Sequence, residues 1–363
     1  MKCIIFFFYI KFTLIYCYLS DSHYHESIEL DDGMILVFSS NQNTTGTNNK
    51  YFESLKQFSK YDGSYFLYIS KNYQEIYDSY GNYLFEYPIT INLYNCFYSL
   101  VPYSHLRDEL HYYIIYFNNA TQIGFTKFSY NITNDNFQRK DFYVNNILGN
   151  NNDLITCQLM KKSNGKVISC FFLTHLENEY FINCSVFNTE KSLKIIQSSQ
   201  IKIEAMSFYR IESEVISNDA RQKALIILSL SYNEKDCLFY AGYDIHSNNF
   251  TSSGYLIENN CSLYNGDNYY IGISYFKETE EFIVSTLRQC TFNNSPQLNY
   301  LIYSFDNNFK YSFFGILGDL VLGDSCCKSE PFKIYGNSYH SIYFDPYTRT
   351  YSIVLNVNSP YII

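Results

Sequence analysis

The sequence predicts an all-β protein, a β-propeller of about six to seven blades. The first observation is one recurring pattern: an aromatic and aliphatic run, a short polar turn, and a second such run. Residues 171–184 show it most clearly, with the turn at 176–179. The second observation is composition, because these runs are rich in Tyr, Phe, Ile and Val while Asn, Asp, Gly and Ser interrupt them, which is typical of strands and turns.

The third observation is the spacing of the hairpins. Six predicted turns begin near Lys71, Asn118, Leu176, Asn233, Lys277 and Asp345, which are 47, 58, 57, 44 and 68 residues apart. A hairpin cannot cover its own apolar face, so similar units have to stack. Four short strands in about 40 to 50 residues make a propeller blade, and the longer units here predict longer loops. A β-sandwich or two packed all-β domains is the alternative, because the intervals scatter.

Composition and charge restrict the class of protein. Hydrophobic residues make up 47% of the 363 residues and charged residues 17%, which predicts an ordered globular chain. The net charge of −9 and the absence of any long basic run disfavour nucleic acid as a partner.

The chain divides into three segments. Residues 1–22 have the pattern of a secretory signal peptide, with Lys2 before an apolar stretch and small residues at its end. An uncleaved signal anchor is the alternative, although Lys11 interrupts the apolar stretch, and no later stretch is predicted to span a membrane. Residues 23–64 form a polar segment whose run 34–38 could close a ring by pairing with the C-terminal strand. Residues 65–363 carry the repeats. Two short surface helices are predicted, near 52–58 and 104–111.

Nine cysteines lie outside the predicted signal, and in an oxidising compartment such a number predicts disulfides. A hairpin loop at 162–165 would place Cys157 directly opposite Cys170. Cys170 is also roughly opposite Cys184 in the next hairpin, so only one of the two bonds can form, and Cys157–Cys170 is favoured. No C-x-x-C pair is present, and no metal site is predicted.

Seven N-x-S/T sequons occur, and their use depends on secretion. Asn183 lies inside an apolar run and Asn293 precedes a proline, so both are expected to be unmodified. The candidate glycosylation sites are Asn43, Asn119, Asn131, Asn249 and Asn260.

No catalytic residue is predicted, because the chain has no G-x-S-x-G elbow, no H-E-x-x-H pair and no glycine-rich phosphate loop. No cofactor is predicted either. The leading hypothesis is a secreted or cell-surface, non-catalytic binding protein whose loops recognise a protein or a carbohydrate. The alternative is a secreted hydrolase or lyase that acts on glycans or peptides in a central cleft. A structural coat or matrix protein is a third possibility, suggested by the tyrosine content.

Overall fold

The structure is a computed structural model. It describes residues 3–5, 24–29, 35–40, 54–60, 63–69, 73–77, 83–88, 98–106, 109–119, 121–131, 133–134, 136–145, 147, 154–162, 165–176, 179–189, 193–216, 222–232, 235–256, 261–263, 271–276, 280–292, 295–320, 328–329, 333–335, 338–345 and 350–357. All regular secondary structure in these ranges is β-strand, and they contain no helix that is long and apolar enough to cross a membrane.

The N-terminal sheet has three antiparallel strands, and its central strand is the last of them in the chain. The strands are β1 (Cys3–Ile5), β2 (Tyr24–Glu29) and β3 (Ile35–Ser40), in the spatial order β1-β3-β2.

Four sheets follow in which four antiparallel strands are neighbours in chain order. The first contains β4 (Ser54–Lys60), β5 (Gly63–Ile69), β6 (Tyr73–Tyr77) and β7 (Tyr83–Pro88). The second contains β8 (Tyr98–Leu106), β9 (Glu109–Asn119), β10 (Gln122–Asn131) and β11 (Asn136–Asn145). The third contains β12 (Ile155–Lys162), β13 (Gly165–Leu176), β14 (Glu179–Asn188) and β15 (Ile195–Ile203). The fourth contains β16 (Ser207–Val215), β17 (Lys223–Tyr232), β18 (Lys235–Asp244) and β19 (Asn249–Leu256).

In the last two sheets the first strand is interrupted. In the earlier of these two sheets, β20 (Cys261–Leu263) and β21 (Ile271–Phe276) both pair with β22 (Glu281–Phe292), at successive parts of its length. Strands β23 (Ser295–Phe305) and β24 (Tyr311–Leu320) complete this sheet. In the second, β25 (Lys328–Ser329) and β26 (Lys333–Tyr335) pair in the same way with β27 (Ser338–Asp345), which also pairs with β28 (Thr350–Val357).

The predicted fold class is confirmed: the chain is all-β and is built from four-stranded antiparallel sheets in series, the arrangement of propeller blades. All six predicted turns fall between paired strands. One of them was assigned to the wrong place in the repeat, because the turn near Lys277 joins β21 to β22, which are the first and second strands. In the other five sheets the predicted turn joins the second and third.

The corrected repeat is more regular than the sequence suggested. The second strands end at Ile69, Asn119, Leu176, Tyr232, Phe292 and Asp345, so the central hairpins are 50, 57, 56, 60 and 53 residues apart. The predicted intervals of 44 and 68 residues therefore arose because the hairpin near Lys277 joins the first two strands of its sheet, one strand before the central hairpin.

Three local predictions were wrong. The segment 52–58, expected to be a helix, contains β4, and 104–111 contains the end of β8 and the start of β9. Cross-strand hydrogen bonds to β5 and β9 outweigh a helical spacing of only three apolar residues. The run 34–38 does not pair with the C-terminal strand, because β1 and β2 occupy both edges of β3 while β28 pairs with β27.

The chain forms two compact units. The first contains residues 1–43, 205–243 and 251–363, and the second contains residues 44–204 and 244–250. Residues 3–5 of the predicted signal belong to the first unit as strand β1, so cleavage after residue 22 would leave β3 paired with β2 alone.

Burial differs between inner and outer strands. Strand β13 is buried from Val167 to Thr174, and β17 from Ala224 to Leu230, which means that both faces of these strands are covered. The fourth strands β11, β15 and β19 alternate between exposed and half-buried positions. The inner strands therefore appear in the sequence as continuous apolar runs, and the outer strands as period-two patterns.

Each unit has its own apolar layers between consecutive sheets. In the second unit one layer lies between the sheets β4–β7 and β8–β11, and another between β8–β11 and β12–β15. In the first unit a layer lies between the sheets β16–β19 and β20–β24. Strand β9 shows the principle, because Tyr112 and Ile114 enter one layer of the second unit while Tyr113 and Ile115 enter the other.

A tight turn between β23 and β24 anchors the core of the first unit. Phe309 has a positive φ of 62° and is 1% exposed, and the Asp306 carboxylate accepts hydrogen bonds from the backbone N–H groups of Asn308 and Lys310 at 2.8 and 2.9 Å. The Phe309 ring lies against Gly242 of β18, where a Cβ atom would be 2.1 Å from Cδ2 of the ring. Only glycine leaves room for this ring.

We expect Gly242→Ala to lower the free energy of unfolding by about 1–3 kcal/mol, because the added methyl group overpacks the site of the Phe309 ring. Chemical denaturation measures the change. Ser253→Ala, at an exposed position of β19, is the control and should change stability by less than about 0.5 kcal/mol. Equal effects of the two substitutions would contradict the packing argument.

Candidate functional site

A polar network crosses strands β9 and β10 in the second unit. The register places Glu109 opposite Asn131 and His111 opposite Ser129. His111 Nδ1 lies 2.8 Å from Ser129 Oγ, and His111 Nε2 lies 3.1 Å from Glu109 Oε2. Asn131 Nδ2 donates a hydrogen bond of 3.4 Å to the other oxygen of Glu109. We refer to these four residues as the polar network.

The environment of His111 determines which of its two ring nitrogens carries a proton. Burial, followed by the positive charge of Lys127, lowers the pKa of His111 below its ordinary value of 6.5, against the opposing effect of Glu109. The imidazole is therefore neutral at neutral pH and has one donor and one acceptor nitrogen. Because a carboxylate only accepts, Nε2 donates to Glu109 and Nδ1 accepts the hydrogen bond of the Ser129 hydroxyl.

A second group, the lysine–tyrosine cluster, consists of Tyr103, Lys127 and Lys166. The Nζ atoms of Lys127 and Lys166 lie 5.8 and 5.4 Å from the centroid of the Tyr103 ring. Lys166 Nζ also donates to the Tyr103 carbonyl at 3.3 Å. The edge of the Tyr103 ring meets Tyr113 of β9 at a centroid distance of 5.6 Å. The cluster joins the sheet β8–β11 to strand β13 within the second unit.

Both groups lie on one face of the sheet β8–β11. Side chains two residues apart on a strand share a face, so Lys127, Ser129 and Asn131 follow Phe125 along β10. Phe125 and Tyr113 belong to the apolar layer against the sheet β12–β15. The same face is therefore apolar at one end and polar at the other, and the polar end is half-buried.

The chemistry of the polar network is limited by its backbone. A Ser–His–Glu chain resembles the arrangement that activates a serine nucleophile, which also needs backbone N–H groups aimed at a developing oxyanion. Strand β10 is paired along both edges, to β9 and to β11, at every position around Ser129. Its N–H groups therefore lie in the sheet ladder, whereas the side chains of the network bond to one another on the half-buried face.

The disulfide Cys157–Cys170 is confirmed. The two residues are directly opposite across β12 and β13, with Cα atoms 4.0 Å apart. The Cys157 N–H donates to Ser99 Oγ at 2.8 Å, and that hydroxyl donates to the Cys157 carbonyl at 3.4 Å. These backbone groups therefore point away from β13, as at a closely spaced, non-hydrogen-bonded position. A crosslink over 13 residues stabilises the fold by about 3 kcal/mol in the chain-entropy account.

Cys184, the alternative partner of Cys170, is a buried thiol opposite Phe171 instead. The register of the hairpin β13–β14 places Ser185 opposite Cys170. The predicted choice between the two bonds was therefore right.

The predicted glycosylation sites differ in environment. Asn249 and Thr251 are both exposed at the start of β19. Asn131 is half-buried and uses its side-chain amide in the polar network. Asn183 donates its amide to Thr174 Oγ1, and Ser185 of the same sequon is 6% exposed. Asn119 ends β9, while Asn43 and Asn260 lie outside the described residues.

Sequence reasoning missed the polar network because a β-bulge decides the register. The ladder shifts between Gln122 and Ile123, just after the predicted turn. Without that shift, continuing the pair Asn119 and Gln122 would place His111 opposite Tyr130. The extra residue of a bulge moves every later pair. Period-two spacing of polar residues at the end of β10 was the available signal. Within the described ranges, no group of three or more His, Cys, Asp or Glu side chains could hold a metal ion.

Comparisons with known proteins found similarity among solved structures. No family model matches it, and no curated protein matches it. Among solved structures, it is similar to a six-bladed β-propeller lectin of Aleuria aurantia, at 10% identity over 88% of this chain and 99% of that chain, with a TM-score of 0.45. It is also similar to the WD40 domain of SCAP from fission yeast, at 8% identity over 82% and 80% of the two chains, with a TM-score of 0.35. A GH43_1 enzyme from Xanthomonas citri matches at 8% identity over 72% and 86%, with a TM-score of 0.34. We take neither activity nor ligand from similarity at this level.

The environments of the sequons generate a test in a eukaryotic secretory host. We expect glycan at Asn249 and none at Asn183, because the acceptor amide has to be accessible to be modified. Peptide mapping with and without glycan removal measures occupancy at each site. Occupancy of Asn131 should be below that of Asn249, since its amide is held by Glu109. A fully occupied Asn183 would contradict the structural argument.

Proposed function

We propose that the chain is a non-catalytic binding protein of the cell exterior, which recognises a protein or carbohydrate ligand on a β-propeller-like scaffold. The observation that carries this proposal is the position of Ser129 and His111 in fully paired strands. Such strands hold polar side chains rigidly, which reduces the entropy that a ligand has to overcome on binding.

The polar network supplies the groups that a polar ligand needs. The Ser129 hydroxyl, the Asn131 amide and the Glu109 carboxylate offer both donors and acceptors on one half-buried face. The aromatic rings of Tyr103 and Tyr113 lie on the same side of the sheet. A few fixed polar groups beside an apolar surface are typical of ligand sites.

A second surface lies at the opposite end of the strands, at the tip of the hairpin β13–β14. His175 stacks on Tyr180 with the ring centroids 4.5 Å apart, and Leu176 beside them is exposed. An ion pair between Lys202 and Glu179 borders this tip. Aromatic and polar groups on a short, well-paired hairpin are suited to contact a protein partner.

A hydrolase is the second candidate, and the 2.8 Å contact between Ser129 Oγ and His111 Nδ1 favours it. A neutral His111 could remove the proton of the hydroxyl. The tetrahedral intermediate of acyl transfer would still require donors at its oxyanion, and the neighbouring backbone N–H groups lie in the ladder. The arrangement therefore supports binding better than hydrolysis.

Secretion is part of the proposal and has two supports. Residues 1–22 have the pattern of a signal peptide, and a disulfide persists most readily in an oxidising compartment.

The test combines a covalent probe and a glycan array. We expect a fluorophosphonate probe to leave Ser129 unlabelled, and the fluorescent protein to bind saturably to the array or to intact cells. His111→Gln should weaken that binding about ten-fold, because it disrupts hydrogen bonds to charged and neutral partners in the network. Ser253→Ala is the surface control.

Two outcomes would overturn the proposal. The first is stoichiometric labelling of Ser129 in the natural protein that His111→Gln abolishes, which would establish an activated nucleophile. The second is absence of binding both to the array and to cells by correctly folded protein.

A further inference from the structure

Two pairs of lysines face each other directly across neighbouring strands. The register of β10 and β11 pairs Lys127 with Lys140, and the register of β12 and β13 pairs Lys161 with Lys166. Like charges at such positions repel and destabilise a sheet. The cost for Lys166 is offset in part, because its Nζ donates a hydrogen bond to the Tyr103 carbonyl of the neighbouring sheet.

One lysine of each pair lies at the same aromatic ring. Lys127 and Lys166 both lie within 6 Å of the Tyr103 ring centroid, and Lys140 Nζ is 5.0 Å from the centroid of Phe142 on the same sheet face. Cation–π contacts hold long side chains in place over rings. These contacts place the ammonium groups of Lys127 and Lys166 at the Tyr103 ring, and Lys127 lies two residues from Ser129 on the same face of β10.

We propose that the lysine–tyrosine cluster binds an acidic group, a carboxylate or a sulfate ester, on a carbohydrate ligand. This rests on the proposed function and specifies the ligand class of the same face. Two ammonium groups supply the charge complement, and the neutral hydroxyl and amide groups of the polar network match the hydroxyl groups of a sugar.

The net charge of the chain favours a ligand with a single acidic group over a ligand that is an extended polyanion. The net charge of −9 repels an extended polyanion at long range. Screening over about 8 Å at physiological ionic strength limits that repulsion, so the charged groups of this face, Lys127 and Lys166 together with Glu109, determine the local field. At His111, Lys127 adds to the effect of burial in lowering the pKa, whereas the charge of Glu109 raises it.

The experiment compares matched oligosaccharides by calorimetry: a neutral one, its sulfated form and a uronic-acid form. We expect the acidic forms to bind about ten-fold more tightly than the neutral one, and Lys127→Gln and Lys166→Gln each to remove most of that difference. Lys310→Gln, an exposed lysine of the first unit, is the charge-matched control and should change nothing. Thermal unfolding of each variant verifies the fold.

The outcomes separate this inference from the proposed function. Equal binding of neutral and acidic forms would overturn the acidic-group inference and leave the binding function standing. Failure of all three oligosaccharides to bind overturns the inference as well. Competition by inorganic sulfate tests whether the site needs a sugar at all. If inorganic sulfate competes as effectively as the sulfated oligosaccharide, the site binds simple anions, and the carbohydrate assignment is overturned.

A second inference comes independently from the backbone register of the first unit. Cys261 of β20 and Cys290 of β22 are direct partners across the antiparallel pair. Cys157 and Cys170 likewise connect the first and second strands of their sheet. Directly opposite residues of an antiparallel pair have Cα atoms about 4.5–5.5 Å apart, within the span of a disulfide. We infer that Cys261 and Cys290 form a second cross-strand disulfide.

Formation of this bond is an ordinary thiol–disulfide exchange. The two thiols lose two protons and two electrons as the sulfur–sulfur bond forms, and an incoming disulfide of the secretory compartment accepts the electrons and is reduced to two thiols.

Peptide mapping without reduction tests the inference on the full-length protein. Trypsin followed by cleavage after Glu258 separates Cys237 from Cys261, and we expect a linked peptide that contains Cys261 and Cys290. The Cys157–Cys170 link in the same digest is the positive control. Alkylation of both Cys261 and Cys290 as thiols, or linkage of either to another cysteine, would overturn the assignment.

Discussion

Burial of the inner strands on both faces is the constraint on which this fold depends. Alternate residues of β9 enter the apolar layers on opposite faces of the sheet β8–β11. This sheet therefore requires a neighbouring sheet on each side within its unit. A sheet without neighbours would expose both apolar faces, and each large side chain left exposed costs about 1.5–3 kcal/mol. Repetition along the chain is therefore a requirement of burial, and it explains why similar hairpins recur.

The same constraint places polar chemistry at the ends of strands. Along one face of β9 and β10 the side chains change from the buried Phe117 and Phe125 to the half-buried His111 and Ser129. Apolar packing orders the backbone up to the point where the polar network begins. The hydrogen bonds of that network are thus made between groups that are already positioned, which is favourable for selective binding.

Electrostatics on this face do not follow from the net charge of the chain. The protein is acidic as a whole, yet Lys127 and Lys166 from two different sheets lie over one tyrosine ring. Burial and the nearby ammonium group of Lys127 keep His111 neutral. The neutral imidazole connects a carboxylate and a hydroxyl through hydrogen bonds at its two ring nitrogens.

The sequence by itself determined the all-β class, one hairpin in each of six sheets and one covalent link. Its apolar runs and polar turns located all six hairpins, because these signals are local, and the short loop after Lys162 was sufficient to place Cys157 opposite Cys170. Helix predictions failed where only three apolar residues supported them, and one hairpin was assigned to the wrong strands because first and second strands have similar composition. Only the tertiary structure decided which polar residues meet. The bulge after Gln122 sets His111 against Ser129, and Tyr103 and Lys166 are 63 residues apart. Contacts of that kind depend on register and sheet packing, which no short stretch of sequence encodes.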